Sequence, residues 1–505
     1  MKLAKIVAAF AIGVAAPLSA QTDFQEMSES ELLNTLKKGN GAWIDQPCEI
    51  GKPLFSALVD KNPARAAYLR AKLLSQTLCF DQEKNYQRGA ATLAELEREF
   101  PEENFDWLGL YFDRRLENAD GALARLNEMN AEQLGKLGPD STWALFRMVT
   151  KQNKQDELED FSLRLADRNL IGALNTELQS GVAMRALVSA VRIGRPEAAK
   201  SLLAYIRSPR SYVNMLGDRG YEAAWPEIEA AAGENLRIVG DAYVEWSLAR
   251  LDTNSSDRDR FSDAAHSLHF AGRYQEAIDL AQSWRERADA LDQIEEGDAW
   301  AMNIQAYAYD ALGRRSEADA VFDQLAKLDP EEHDWVVNFV INRASRLVGH
   351  GRWEDGLEAA ALARTVADKH GSTYAKMIVA NNHACALSKL GRGAEAEKEF
   401  TFLRENLADG TALAIGALLC AGKREEAVQT TLDALADDGM RDSLIEDMQH
   451  AKFDLFYTPS ILPKAHDLMV GNAEIRAVFE LYARDIPDRF TPTAYLNRLE
   501  PIATN

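Results

Sequence analysis

The chain has 505 residues, of which 46% are hydrophobic and 27% charged, and its net charge is −22. That length exceeds what one hydrophobic core normally supports, so several domains or an elongated repeat array are expected. The acidic balance argues against a broad basic surface, and with it against nucleic acid or an anionic membrane as a partner.

The chain opens MKLAKIVAAFAIGVAAPLSAQ: a positive start, an apolar run, then small residues. This is the build of a secretory signal peptide over residues 1–20, too short in its apolar part for a comfortable membrane span. Cleavage after Ala20 fits, although Leu18 is bulkier than the preferred small residue, and no cysteine follows the cut to carry a lipid anchor. No later stretch approaches eighteen apolar residues, so no integral membrane segment is expected after cleavage. In a bacterium the mature protein would be periplasmic or secreted.

Residues 21–180 read as a degenerate helical-repeat region. GNGAWIDQPCEIGKPLF is an N-terminal cap that a Cys48–Cys79 disulfide would staple, given an oxidising compartment. Cys385 and Cys420 form the other local pair, which stays open because buried helix cysteines also act as small hydrophobes. NYQRGAATLAELEREFP (85–101) has a second-helix pattern and a closing proline but no turn glycine, and NADGALARLNEM (118–129) and GYEAAWPEIEAAAG (220–233) resemble it.

Residues 181–435 repeat a clearer unit. In YAYDALGRRSEADAVFDQLAKLDP (307–330), Ala306 and Tyr309 precede Gly313 on one helical face, Ala318, Phe322 and Leu325 follow it, and Pro330 closes the unit. Gly194, Gly272, Gly351, Gly391 and Gly422 occupy the same kind of turn, where a left-handed residue ends a helix. Five residues beyond stand Ala199, Ala277, Gly356, Ala396 and Ala427, and directly after each glycine stands a base. A base there is favoured by the preceding helix C-terminus.

On these residues the chain resembles tetratricopeptide repeats, most closely over residues 255–435. The resemblance implies an all-α fold, an α-solenoid of stacked helical hairpins. Residues 436–505, with their prolines and apolar-periodic helices, are then a C-terminal helical capping region.

The sequence offers no foothold for catalysis: it has no G-x-S-x-G elbow, HExxH, CxxC or EF-hand loop, and GALLCAGKRE (416–425) is one residue too long for a phosphate loop. No catalytic residue, cofactor or metal is expected. His266 and His269, three apart on one helix, have metal-ligand spacing but no third ligand. The resemblance implies that first helices line a concave groove, with residues six, nine and ten before the turn glycine facing it. This stripe includes Asn303 and Tyr307, then Asn342, then Asn381 and Asn382, with His266, His269 and Trp300 toward the same surface. Mid-helix asparagine costs stability unless its amide is used, either by a bound backbone or by a neighbouring helix. The expected function is a non-catalytic exported scaffold that binds a protein or extended peptide. The alternative is a glycan-associated envelope protein using Trp300 and Tyr307. A hydrolase is a third reading, disfavoured because residues 1–180 contain no histidine.

Overall fold

The computed structural model describes residues 24–38, 42–253, 257–286, 291, 293–454 and 460–499. The expected signal peptide lies outside them. The described residues form helices and turns with no β-strand, and none of their helices is long and apolar enough to cross a membrane. Two compact units divide between Ser189 and Ala190, inside the helix Thr176–Arg192, rather than at residue 180.

In the first unit, hairpins form from Ala66–Gln82 with Tyr86–Glu99, Asp106–Arg115 with Ala119–Glu128, and Pro139–Lys151 with Gln155–Asp167. Each turn passes through a left-handed residue that is not glycine: Lys84, Glu117 and Asn153, with φ of 57°, 54° and 56°. The next amide donates to the carbonyl five residues back, Asn85 to Phe80 and Asn118 to Asp113 at 2.8 Å and Lys154 to Val149 at 3.3 Å. Asn85 and Asn118 then cap the second helices, accepting from the amides of Arg88 and Gly121. Five residues past the first turn, a side chain on Gly89 would lie 2.4 Å from the ring of Phe112 on the next hairpin's first helix, so the packing of the second helix against that hairpin demands glycine. Ahead of the hairpins, Phe24, Leu32, Ile50, Leu54 and Phe55 form a separate small core. Cys48 and Cys79 stand at disulfide-bonding distance there, with Cα atoms 4.7 Å apart.

The second unit begins with the helices Pro209–Gly217, Trp225–Ala232 and Arg237–Thr253. Five hairpins follow: α1 (Arg258–Phe270) with α2 (Tyr274–Arg285), α3 (Glu296–Ala311) with α4 (Arg315–Leu325), α5 (Val336–Gly349) with α6 (Trp353–His370), α7 (Thr373–Lys389) with α8 (Gly393–Glu405), and α9 (Thr411–Cys420) with α10 (Arg424–Ala436). Gly194 and the five turn glycines of this array have φ between 67° and 77°. Ala277, Ala318, Ala396 and Ala427 at the crossing positions are fully buried. The bases after the glycines belong to the second helices. Arg273, Arg314, Arg352 and Arg392 are N-cap residues, each paired three residues on with Glu276, Glu317, Asp355 or Glu395 at 2.5–3.0 Å. The helix dipole favours those first-turn carboxylates, and the base holds them. Cys385 and Cys420 also stand at disulfide-bonding distance, with Cα atoms 5.4 Å apart, tying α7 to α9.

Polar groups lock one hairpin to the next. Gln305 on α3 accepts from Arg285 of α2 at 2.8 Å, and Arg343 on α5 donates to Asp323 of α4 at 3.0 Å. His383 on α7 lies 3.4 Å from Glu399, which also pairs with Arg364 of α6. The deepest link is Arg346, 1% exposed, which grips the fully buried Asp310 at 2.5 and 2.7 Å and Asp319 at 2.5 Å. Burial works against the guanidinium's charge, but the two carboxylates outweigh it and hold Arg346 protonated.

Beyond α10 the chain covers the last hairpins. Leu444, Ile475 and Phe479 bury against Leu435, Ala427 and Leu468, as the exposed end of a repeat array requires. It also reaches back along the unit. The Ile461 amide donates to Gly349 (2.8 Å), the Arg484 amide to Gly217 (2.8 Å) and the Leu499 amide to Ala311 (2.9 Å). Asp218 and Ala483 form an isolated antiparallel bridge, and Arg484 and Arg489 both pair with Glu229, at 2.9 and 2.5 Å. The expected cap thus also serves as a return strap along the array.

Removing one partner of a buried ion pair leaves an uncompensated charge. Arg346→Ala therefore lowers the unfolding free energy by about 3–5 kcal/mol. Arg343→Ala, which breaks a partly exposed pair, costs under about 1 kcal/mol. Denaturant melts of the two variants check the contrast, and equal losses contradict it.

Candidate functional site

The structure divides the expected groove residues. Asn303 is 1% exposed and accepts from the Asn342 amide at 3.1 Å, joining α3 to α5. Asn382, 2% exposed, donates to the Ser345 hydroxyl at 2.9 Å, joining α7 to α5. Three of the four amides therefore bond between successive first helices. Trp300 packs edge-on against Phe339, with centroids 5.0 Å apart, and its indole N–H donates to Glu296. Tyr307 is buried against Phe322, which pushes its phenol pKa up.

His266 Nδ1 donates to the Ser262 carbonyl at 3.0 Å, and burial pushes its pKa down to about 4. His269 is 1% exposed beside Tyr274, so the two rings meet different surroundings rather than a shared ion. Among the described residues, the one His, Cys, Asp and Glu group at metal-binding separation is Cys48, Cys79 and Glu83, whose sulfurs already face each other.

Asn381 differs from the other amides. It opens into a cavity of about 460 Å³ enclosed by three parts of the second unit. Arg210, Val213 and Asn214 come from the helix Pro209–Gly217, and Tyr374, Leu413 and Gly416 come from α7 and α9. The C-terminal stretch supplies Met440, Glu446, Asp447, Phe453, Asp454 and Lys464. On α9, Ala412, Leu413 and Gly416 stand ten, nine and six residues before Gly422, so the stripe expected to face a groove does line this space. At α1 the strap lies over the array instead. Lys452, Asp454, Pro492 and Arg498 close on His269 and Tyr274 and leave a gap of about 10 Å³. Asp454 also comes near enough for its charge to act on the Tyr307 phenol of α3.

The cavity is electrically uneven. Asp409, Glu446, Asp447 and Asp454 face it against Arg210 and Lys464, two more acids than bases. Asn214 donates to Glu446 at 2.9 Å, and Lys464 lies 3.6 Å from Asp454. Burial, then the charges of Glu446 and Asp454, push the Asp447 carboxyl up to about 6, against the pull of Lys464 and Arg210. Burial also raises Glu446. His450, whose ring centre is 4.9 Å from that of His466, is pushed down by burial and by that neighbour. Tyr374, 52% exposed, stands at the rim. The arrangement is a half-enclosed space with apolar walls and surplus negative charge, suited to binding. None of these acids stood out among the 79 Asp and Glu of the sequence. Glu446 and Asp447 are neighbours in sequence, and the cavity brings them together with Asp409 and Asp454.

No protein family matches this chain, and no curated protein does either. The tetratricopeptide resemblance rests on the repeat pattern alone.

Asp447 holds its proton more tightly in the folded chain (about 6) than in the unfolded chain, where 3.8 applies. The stabilisation from that proton is complete below the unfolded value and is lost as pH rises through about 6. Asp447→Asn therefore melts above wild type at pH 7.5 and level with it near pH 4. A thermal-melt series over that range checks this, and a variant that melts lower at pH 7.5 contradicts it.

Proposed function

We propose that this chain is an exported, non-catalytic helical-repeat protein whose second unit binds a segment of another protein on its first-helix face. Its hairpins, stacked as a tetratricopeptide-like solenoid, supply that face, and the cavity at α7 and α9 is the recognition point. The observation that carries the reading is the lining of the cavity by Asn381 of α7 and Ala412, Leu413 and Gly416 of α9, positions where this repeat type presents its binding stripe. Two cysteine pairs at bonding distance favour an oxidising compartment, which in a bacterium is the periplasm.

The strap modifies the expected ligand. Over α1 and α3 the face is occupied by the chain itself, which favours a short segment entering the cavity over a long peptide laid along the array. Trp300 and Tyr307, both packed against neighbours, favour this reading over an aromatic row for glycans.

Gly416 supplies the test. A Cβ built there meets its nearest neighbour, Asn381 Oδ1, at 3.8 Å, so a leucine enters open cavity space. Leucine is also the better helix former, by about 0.8–1 kcal/mol. Gly416→Leu is expected to melt no lower than wild type while losing partner capture from the native compartment. Undiminished capture by the folded variant contradicts the reading.

A further inference from the structure

The cavity's lining narrows the ligand class, and the inference rests on the reading of the cavity as the binding site. Val213, Leu413, Met440 and Phe453 give it apolar wall, suited to a chain of methylenes. Its carboxylates Glu446, Asp447 and Asp454 are exposed beside that wall, among unequal partners. Asn214 occupies one oxygen of Glu446, and Lys464 faces Asp454, but among the described residues Asp447 has neither a hydrogen bond nor an ion pair. A bare metal ion does not fit this pattern. Among the described residues, no carboxylates of the cavity converge to the separation at which three groups hold one ion. A positive charge carried on an extended apolar stem would match both the acids and the apolar wall.

We propose that the cavity receives a lysine or arginine side chain of the partner, its methylenes along the apolar wall and its cationic head against Asp447. The chain's net charge of −22 steers such a basic segment toward it before contact. The groups facing Asp447 are Glu446, Asp454, Lys464, Arg210, His450 and Tyr374. A cation binds the ionised carboxylate, so acidification through about 6 weakens binding as Asp447 takes up its proton. His450, held neutral at pH 7 by its lowered pKa, opposes a cation only when it too is protonated, which acts in the same direction.

The test uses the full chain and three blocked tripeptides, N-acetyl-trilysine amide, N-acetyl-triarginine amide and N-acetyl-triglutamine amide, titrated calorimetrically. Wild type should bind at least one of the two basic peptides, at least ten-fold more tightly than triglutamine, and at least five-fold more weakly at pH 5 than at pH 7.5. Asp447→Asn should lose at least five-fold at pH 7.5 and lose the pH dependence, while Gly416→Leu should abolish the specific binding. Basic-peptide binding that is equal in wild type and both variants would be general attraction to an acidic surface, and it overturns the proposal. If triglutamine binds and Gly416→Leu removes that binding, the cavity remains the site but the choice of a cation is wrong. If no peptide distinguishes wild type from Gly416→Leu, the cavity reading and the proposal both fall.

Discussion

A single left-handed residue after each first helix governs the architecture of both units. It turns the chain sharply enough for the next amide to reach the carbonyl five residues back, so the first helix ends with its carbonyls satisfied. It also fixes where the second helix begins, which puts the residue five positions on at the closest approach of the two helices. There Ala277, Ala318, Ala396 and Ala427 are fully buried, and at the same position of the first unit a side chain on Gly89 would strike Phe112 of the next hairpin. Hairpin geometry, crossing residue and capping pair all follow from that one dihedral angle.

The second constraint is the exposed end of an array. Stacked hairpins always leave one apolar face uncovered, and here the stretch beyond α10 covers it with Leu444, Ile475 and Phe479. Because that stretch is longer than one cap requires, it returns along the unit and bonds to carbonyls of Gly349, Gly217 and Ala311. The first-helix face is thereby partly covered, with a cavity of about 460 Å³ at α7 and α9. The strap both covers part of that face and contributes Glu446, Asp447 and Asp454 to the cavity.

The sequence was legible where backbone geometry demands a residue type. Glycine is the easy occupant of a left-handed turn, so the array of the second unit announced itself through Gly272, Gly313, Gly351, Gly391 and Gly422. In the first unit Lys84, Glu117 and Asn153 take the same conformation, at a cost of about 1–2 kcal/mol each, and the hairpins were visible only as second-helix echoes. The linking position between hairpins was hidden for a related reason. In α3, α5 and α7 it is polar, filled by Gln305, Arg343 and His383, whose shared role is the bond made and not the residue type, while α1 and α9 carry alanine there. Nothing in the sequence marks Arg346 and Asp310 as partners; packing buries them together. The asparagines were correctly placed as residues with work to do, yet Asn303, Asn342 and Asn382 spend their amides between helices and Asn381 alone opens into the cavity. The cavity itself joins residues 210, 381, 413 and 446, a juxtaposition that no local pattern encodes.

The central claim is that the C-terminal stretch folds back over the array and forms one side of the cavity. Amide hydrogen exchange on the intact protein tests it most directly, because the amides of Ile461, Arg484 and Leu499 each donate to a carbonyl on the array or at the start of the unit. The account predicts that these three amides are protected well above unstructured rates and that their protection is lost together when the second unit unfolds. Exchange of all three at unstructured rates, with α3, α5 and α7 still protected, would contradict it.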